Sequence, residues 1–291
     1  MIKRHFASVL FAACALPAML MAQSAQSVGS PDWVKAFPPF RLIGNVYWVG
    51  TYDLSTYLIT TSEGHILINT GLPQTVPQIT TGIELLGFKV ADVKVLTATH
   101  GHFDHVAGLA ALKRLTKAQM AMSEADAQLL ESGGKTDFRW GEDPTARFEP
   151  VTVDRRLKDG DTIALGGVVL TAHHHPGHTK GATSFTLDVR ENGRIYKVGI
   201  INMGSINPGV RVRGMPLYPT IGDDYARTFQ KQRALTLDVF LASHAAQFRM
   251  HEKYKPGDAY RADRFVDPAG YLAAVERMEM AYRDQMAKEQ P

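Results

Sequence analysis

The chain has 291 residues, of which 45% are hydrophobic and 21% are charged, and its formal net charge is +3 at pH 7. This composition excludes an intrinsically disordered chain and a membrane-embedded one, and the length suits one α/β domain. Two of the basic residues, Lys3 and Arg4, belong to an N-terminal leader. The remaining charges nearly balance, so no basic surface for nucleic acid is expected.

Residues 1–24 have the features of a secretory signal peptide. Two basic residues precede the apolar run ASVLFAACALPAMLMA, which then gives way to small and polar residues. The run is interrupted by Pro17 and is shorter than the ~20 residues of a membrane span, so we expect its removal and a periplasmic protein of residues 25–291. Cys14, the single cysteine of the sequence, leaves lipoprotein anchoring as an alternative. Without this leader the chain has no thiol for a disulfide, a metal or catalysis.

The first half of the chain predicts strands, then a helix, then a strand and a helix. Alternating β-branched and aromatic residues over 40–72 predict a meander of short antiparallel strands. A helical pattern over 75–88 leads to a strand over 93–99, and a second helical pattern covers 106–116. In that second helix apolar residues recur three apart, at Val106, Leu109, Leu112 and Leu115. We expect the polar residues 131–148 to form a long surface loop that is able to fold over a site.

The second half repeats this order of elements. Strand patterns over 162–174 and 182–201 precede a helix over 223–235, a strand over 238–243 and a final amphipathic helix over 268–289. Two such halves predict an α/β fold in which two sheets pack face to face between helices. The expected architecture is a four-layer αββα sandwich in a single domain.

The segment HGHFDH, residues 100–105, places three histidines and an aspartate directly after an apolar strand. While the chain is extended, His100, His102 and Asp104 leave the same face. His105 reaches that side if the chain bends there into the following helix. Imidazole and carboxylate ligands without thiolate suit Zn²⁺ or a similar divalent ion. Four such side chains in six residues indicate a metal site far more strongly than a lone histidine does.

Two later histidines also follow strands: His178 in PGHTKG and His244 in SHAAQF. They supply the further partners of the cluster, because three protein ligands per metal leave a position for solvent. The remaining histidines are expected to have other roles. Packing or ligand orientation is expected for residues 173–175, and surface positions are expected for His5, His65 and His251.

The motifs HGHFDH, PGHTKG and SHAAQF, in this order and separation, resemble the metallo-β-lactamase superfamily, which has an αββα fold and a binuclear zinc site. The resemblance covers nearly the whole chain after the leader and implies two Zn²⁺ ions per chain. By motif, the first zinc would be held by His100, His102 and His178. The second would be held by Asp104, His105 and His244.

Finer features resemble class B, subclass 3, and within it the Gob-type branch. Residues 196–205, YKVGIINMGS, contain neither the aspartate that bridges the metals in glyoxalase II nor the cysteine of another lactamase subclass. The tail QFRMHEKYKPGD is similar to the Gob-type branch, although that branch is known for a glutamine at the position of His100. Two departures from the subclass stand out. Met203 leaves Ser205 as the single hydroxyl where a serine pair is common, and Asn69 stands where aspartate is usual.

The resemblance implies an antibiotic-resistance enzyme that hydrolyses the amide bond of penicillins, cephalosporins and carbapenems. A metal-bound hydroxide, hydrogen-bonded to Asp104 as catalytic residue, would attack the carbonyl, and Ser205 would bind the substrate carboxylate. We expect a monomer with a small-molecule substrate, without nucleic-acid partner or membrane span. Two alternatives stay open: a hydrolase of the same fold acting on a lactone, thioester or phosphoester, and a metal-binding domain without turnover.

Overall fold

The structure is a computed structural model that describes residues 29–289, so the predicted signal peptide lies outside the described residues. The strands of the described range are β1 (Phe40–Ile43), β2 (Val46–Trp48), β3 (Tyr57–Thr61), β4 (Gly64–Ile68), β5 (Val93–Thr97), β6 (Gln119–Ser123), β7 (Arg155–Leu157), β8 (Thr162–Leu165), β9 (Val168–His174), β10 (Thr183–Glu191), β11 (Arg194–Ile201) and β12 (Val239–Ala242). The α-helices are α1 (Val76–Leu85), α2 (Phe103–Val106), α3 (Leu109–Thr116), α4 (Glu124–Glu131), α5 (Ile221–Ala234), α6 (Met250–Lys253) and α7 (Pro268–Lys288).

The strands form two sheets. The first sheet has seven strands in the order β1 to β7; its first four strands are antiparallel, and β4 to β7 run parallel. The second has five strands in the order β12-β11-β10-β9-β8, with one parallel pair, β11 and β12. Helices α1, α3 and α4 cover the outside of the first sheet, while α5 and α7 pack on the second. The predicted four-layer αββα sandwich is confirmed.

Both faces of the central strands are buried, which explains their nearly continuous apolar sequences. In β3, Tyr57 and Ile59 point into the core between the sheets, whereas Leu58 points outward to the helices. In β4, Leu67 faces the helices in the same way. Because side chains alternate along a strand, one short segment contributes to two hydrophobic layers at once.

Two helices begin with a side chain that caps the first turn. At the start of α4, the Ser123 hydroxyl accepts a hydrogen bond from the backbone N–H of Asp126. At the start of α7, the Asp267 carboxylate accepts from Gly270 N at 2.8 Å, and Pro268 occupies the first turn. Such caps satisfy backbone donors that a helix leaves unpaired at its N-terminus.

The predicted helix over 106–116 is two helices. The break falls at Gly108, whose N–H donates to Gly71 O at 3.2 Å, and a Cβ on Gly108 would lie 2.7 Å from Thr70 O. This contact holds α2, which carries two of the predicted ligands, close to the end of β4. Leu115 is 59% exposed, so its predicted place in the apolar stripe is wrong.

The structure differs from three further expectations. The loop over 131–148 is not confined to the surface, because Asp137 and Phe138 are buried. His65 is buried against Phe88 rather than exposed, and His251 is half-buried and stacks on Tyr52 with ring centroids 3.8 Å apart. His5 lies outside the described residues. Across residues 29–289, no helix combines the length and apolarity needed to cross a bilayer.

Candidate metal centre

The six predicted ligands meet at one edge of the sandwich, where strands from both sheets end. β5 leads into His100 and His102, and α2 carries Asp104 and His105. The other two ligands come from the second sheet, each just after a strand: His178 after β9 and His244 after β12.

One group of donors consists of His100, His102 and His178. Each offers a ring nitrogen, and these atoms lie within 4.8 Å of one another. The closest pair is His102 Nδ1 and His178 Nε2, at 3.1 Å. His100 Nε2 is buried, and it has no hydrogen-bond partner in the described part of the chain. Buried polar atoms normally have a hydrogen-bond partner, so a buried nitrogen without one, close to two other imidazole nitrogens, indicates a metal-binding position.

The second group lies directly beside the first. Asp104 Oδ2 is 3.2 Å from His105 Nε2 and 3.5 Å from His244 Nε2, and the two imidazole nitrogens are 3.2 Å apart. The rings of His100 and His105 have centroids 4.3 Å apart, so the groups share one polar cluster. The bend into α2 brings His105 to the side of Asp104, as the sequence predicted.

Two carboxylates orient the ligand rings from behind. Asp137 Oδ2 lies 3.2 Å from His102 Nε2, and Asp53 Oδ2 lies 2.9 Å from His244 Nδ1. In each case the contact turns the opposite nitrogen toward the cluster, which is how carboxylates tune metal-binding histidines. Sequence reasoning missed both residues. Asp53 looks like a turn residue, and Asp137 lies in the segment predicted as a surface loop; only the possibility that this loop folds over the site hinted at it.

Ser205, which was predicted to bind substrate, contacts the ring of His178 from behind, as the two carboxylates do for His102 and His244. Its carbonyl oxygen accepts hydrogen bonds from His178 Nδ1 at 2.8 Å and from the Tyr225 hydroxyl at 2.9 Å. Its own hydroxyl lies 3.3 Å from the same His178 nitrogen. The backbone of Ser205 therefore orients a ligand. The substrate contact of its half-buried hydroxyl stays a prediction.

Behind the cluster, a hydrogen-bonded group joins the strands that carry the ligands. Asn69, with φ of 63°, accepts from Thr99 N at 2.9 Å. The Thr99 and Ser243 hydroxyls are 2.9 Å apart, and these residues directly precede His100 and His244. Asn69, which departs from the usual aspartate, thus supports the backbone beneath both groups of ligands.

Charge at the site is set by burial and by these pairings. Burial, with neighbouring imidazoles, holds the pKa of His100 well below 6.5, and burial lowers the pKa of His178 to about 3. Although burial opposes it, hydrogen bonds to Asp104 and Asp53 raise the pKa of His244 to about 9. Adjacent histidines outweigh burial and hold the pKa of Asp104 well below 3.8. Neutral imidazoles and an ionised carboxylate are the forms that bind metal, so His244 must release a proton near neutral pH. Although burial opposes it, Asp137 also raises the pKa of His102 above its usual value.

The donor set fits borderline divalent ions, because it consists of imidazole nitrogens and a carboxylate with no thiolate. An αββα sandwich with such a cluster at the strand edge defines the class of αββα metallohydrolases.

Comparison with known proteins identifies the family within this class. The family model of the metallo-beta-lactamase superfamily matches residues 50–191. A beta-lactamase from Chitinophaga pinensis is 44% identical, with a TM-score of 0.88 over 90% of this chain and 99% of its own. The metallo-beta-lactamase GOB-18 from Elizabethkingia meningoseptica is 40% identical, with a TM-score of 0.87 over 97% and 100% of the chains. The class B3 di-zinc enzyme LRA-12 from an Alaskan soil metagenome is 43% identical, with a TM-score of 0.86 over 89% and 97%. The chain belongs to the metallo-β-lactamase superfamily, and its predicted resemblance to subclass B3 and the Gob-type branch is confirmed.

Curated relatives show the breadth of this superfamily. A probable metallo-hydrolase of Burkholderia pseudomallei is 33% identical over 97 residues, covering 33% of this chain and 32% of the relative. The acyl-coenzyme A thioesterase MBLAC2 of Gallus gallus is 32% identical over 201 residues, covering 63% and 66%. The chain thus spans about one third to two thirds of the length of these curated relatives.

Proposed function

We propose that the chain is a zinc-dependent β-lactamase that hydrolyses the amide bond of penicillins, cephalosporins and carbapenems. The observation that carries the proposal is the convergence of two complete donor groups, three histidines beside an aspartate and two histidines, in one cluster. The similarity of 40% to 44% to β-lactamases over nearly their whole length supports the choice of substrate.

In this proposal His100, His102 and His178 hold one Zn²⁺, and Asp104, His105 and His244 hold the other. A zinc pair supplies two kinds of chemistry when bound: it lowers the pKa of coordinated water to about 7, and it polarises the carbonyl to be attacked. The chain has no cysteine outside the leader, so no thiol nucleophile competes with this chemistry.

The side chains of the cluster orient the reactants. The pKa of Asp104 is held well below its usual range, so its carboxylate is ionised at neutral pH and able to accept a hydrogen bond from the attacking water. The Ser205 hydroxyl, half-buried beside His178, would donate to the carboxylate of the drug. Trp33 lies next to this cluster, with its ring centroid 5.9 Å from that of His244.

A hydrolase of the same fold acting on a thioester is the second candidate, because MBLAC2 is a relative. The strand that leads to Ser205 argues against it. Asn202 and Met203, which directly follow this strand, are buried and carry no acid, whereas glyoxalase II bridges its metals with an aspartate from that region. A lactone and a phosphoester are the other substrates to be compared.

Metal depletion coupled to a substrate panel tests the proposal. Zinc-loaded protein should open a chromogenic cephalosporin, a penicillin and a carbapenem, lose this activity in EDTA and regain it with zinc. His244→Ala should cut turnover and weaken binding of one metal. His173→Ala removes an imidazole bonded to Thr186, away from the cluster, and serves as the matched control with parental turnover. Turnover that survives complete metal removal, or a higher kcat/KM for lactone, thioester or phosphodiester, would overturn the proposal.

We also propose that the protein is exported, acts in the periplasm as a monomer and gives antibiotic resistance. The leader pattern of residues 1–24 supports export, with lipid attachment at Cys14 as the alternative, and the proposed β-lactamase activity supports a role in resistance. Mass spectrometry of the protein from a periplasmic fraction should find an N-terminus close to residue 25. An N-terminal mass that begins at Met1, or at a lipid-modified Cys14, would contradict removal at this position.

A further inference from the structure

One buried carboxylate outside the donor groups contacts both loops that carry the first three histidines. Asp126 is 1% exposed and lies in the first turn of α4. Its Oδ2 accepts hydrogen bonds from Gly101 N at 2.8 Å and from the Thr179 hydroxyl at 2.6 Å. Its Oδ1 accepts from Gly181 N at 2.7 Å. The carboxylate therefore has three donors, and all three belong to ligand-bearing loops.

The donors to Asp126 lie next to the predicted ligands in the sequence. Gly101 lies between His100 and His102, and Thr179 directly follows His178. A single side chain thus joins the segment after β5, in the first sheet, to the segment after β9, in the second. The three histidines of the first donor group are distributed over these two segments. A backbone hydrogen bond from Thr183 N to Thr99 O, at 2.7 Å, also joins the same regions.

Close packing leaves these loops little freedom to move toward α4. A Cβ on Gly181 would lie 2.2 Å from the Ser123 hydroxyl, and a Cβ on Gly101 would lie 2.6 Å from a methyl group of Leu129. Both loops therefore lie directly against the start of the helix. At Gly181 a Cβ would also lie 2.4 Å from the backbone N of Asp126, so only glycine permits this approach there.

The hydrogen bonds of Asp126 are not required by the helix itself. Ser123 already caps α4, by accepting from the Asp126 N–H. The carboxylate would be costly to bury if it had no donors, and burial raises its pKa. Its partners are the two loops, which indicates a function in their placement rather than in helix capping.

We propose that Asp126 is a positioning residue for the first metal site: it holds the loop of His100 and His102 against the loop of His178, so that their nitrogens converge before metal binds. This inference rests on the proposed function, since it assumes that these histidines bind a metal. Asp126 acts through the backbone and does not contact the ion or the substrate.

Cobalt titration of the whole protein tests this proposal, with visible absorption and competition against a chelator as readouts. His178→Ala and His244→Ala identify which metal equivalent belongs to which donor group. Asp126→Asn should weaken the equivalent that His178→Ala removes by about tenfold or more, and leave the other within about twofold. The reason is that an amide keeps the shape but presents N–H groups where one loop donor needs an acceptor.

Glu279→Gln is the matched control, because Glu279 is another buried carboxylate, on α7, paired with Arg233 and Arg283. It should leave both equivalents unchanged. If Asp126→Asn does not fold, Thr179→Val removes one donor at nearly constant shape and should weaken the same equivalent by a smaller factor. The unfolding midpoint of each metal-free variant shows how much general stability is lost.

Parental affinity of both equivalents in Asp126→Asn and Thr179→Val would overturn the inference. So would equal weakening of both equivalents in step with a lower unfolding midpoint, since that result means a general structural role. Failure of the proposed function is distinct: the parent protein itself would then bind no metal, or would hydrolyse β-lactams without it.

Discussion

Asn69 supports the backbone that precedes the predicted ligands, and substitutions at this position should lower the unfolding free energy in a definite order. Asn69 is fully buried in the left-handed region, and its side-chain oxygen accepts from the backbone N–H of Thr99 at 2.9 Å. Asn69→Gly keeps the backbone conformation accessible but leaves that buried donor unpaired, which should cost about 1–3 kcal/mol of unfolding free energy. Asn69→Ala loses the same bond, and alanine tolerates the left-handed region less well than asparagine or glycine, which makes this variant about 1–2 kcal/mol less stable than Asn69→Gly.

Urea denaturation of the metal-free protein measures these values from shifts of the midpoint at constant slope. Asn192 is the matched control, because it has φ of 50° but lies exposed in the turn between β10 and β11. Asn192→Ala should lose only the conformational part, and Asn192→Gly should be close to the parent. Equal stability of Asn69→Gly and the parent would refute the role of the hydrogen bond. Equal stability of the two Asn69 variants would refute the conformational argument.

Three further predictions concern the cluster. Asp53→Ala removes the acceptor of His244 Nδ1 and should weaken one metal equivalent about 10–100-fold, measured by zinc competition; unchanged affinity would contradict this. Gly101→Ala places a methyl group against Leu129 and should lower the unfolding free energy by about 1–3 kcal/mol in urea denaturation; stability equal to that of the parent would contradict this close packing. Metal-free protein should be most stable near pH 6.5. The contribution of His244, with folded pKa about 9, is complete below pH 6.5 and falls by up to about 3 kcal/mol as pH rises to 9. That of His178, with pKa about 3, is complete above pH 6.5 and lost toward pH 3, so a flat pH profile would contradict both.

The sequence was sufficient to find the donor groups because their signal is local. His100, His102 and Asp104 follow from alternation along an extended chain, and His178 and His244 follow from ligand-type residues at strand ends. The sandwich followed for a similar reason, since strand and helix periods are read over a few residues. These features require no knowledge of which distant segments come together.

The residues that orient the ligands were not accessible in this way. Asp53 and Asp137 act on histidines 191 and 35 positions away along the chain, so no local pattern links them. The same holds for Gly108. Its sequence context is that of an ordinary helix residue, and only the structure shows that the chain after β4 packs directly against it. Leu115 lies in α3 with the buried Leu109 and Leu112, but a spacing of three drifts around a helix of about 3.6 residues per turn, so the third residue of the series faces solvent.

The arrangement of contacts behind the cluster explains why the ligand nitrogens point inward. His244 and His178 each use one ring nitrogen in a hydrogen bond, to a carboxylate and to a carbonyl, and a carboxylate oxygen lies 3.2 Å from one nitrogen of His102. The other nitrogen of each ring is left for the centre. These partners come from three different loops, so the ligand geometry depends on how both sheets are held together. Metal binding by the second donor group must displace a proton from His244, because the two acidic neighbours of this residue favour its charged form. The affinity of the second donor group should therefore rise with pH up to about 9. In the first group His100 and His178 are already neutral, so a rise with pH there comes only from His102, whose pKa Asp137 raises against the effect of burial.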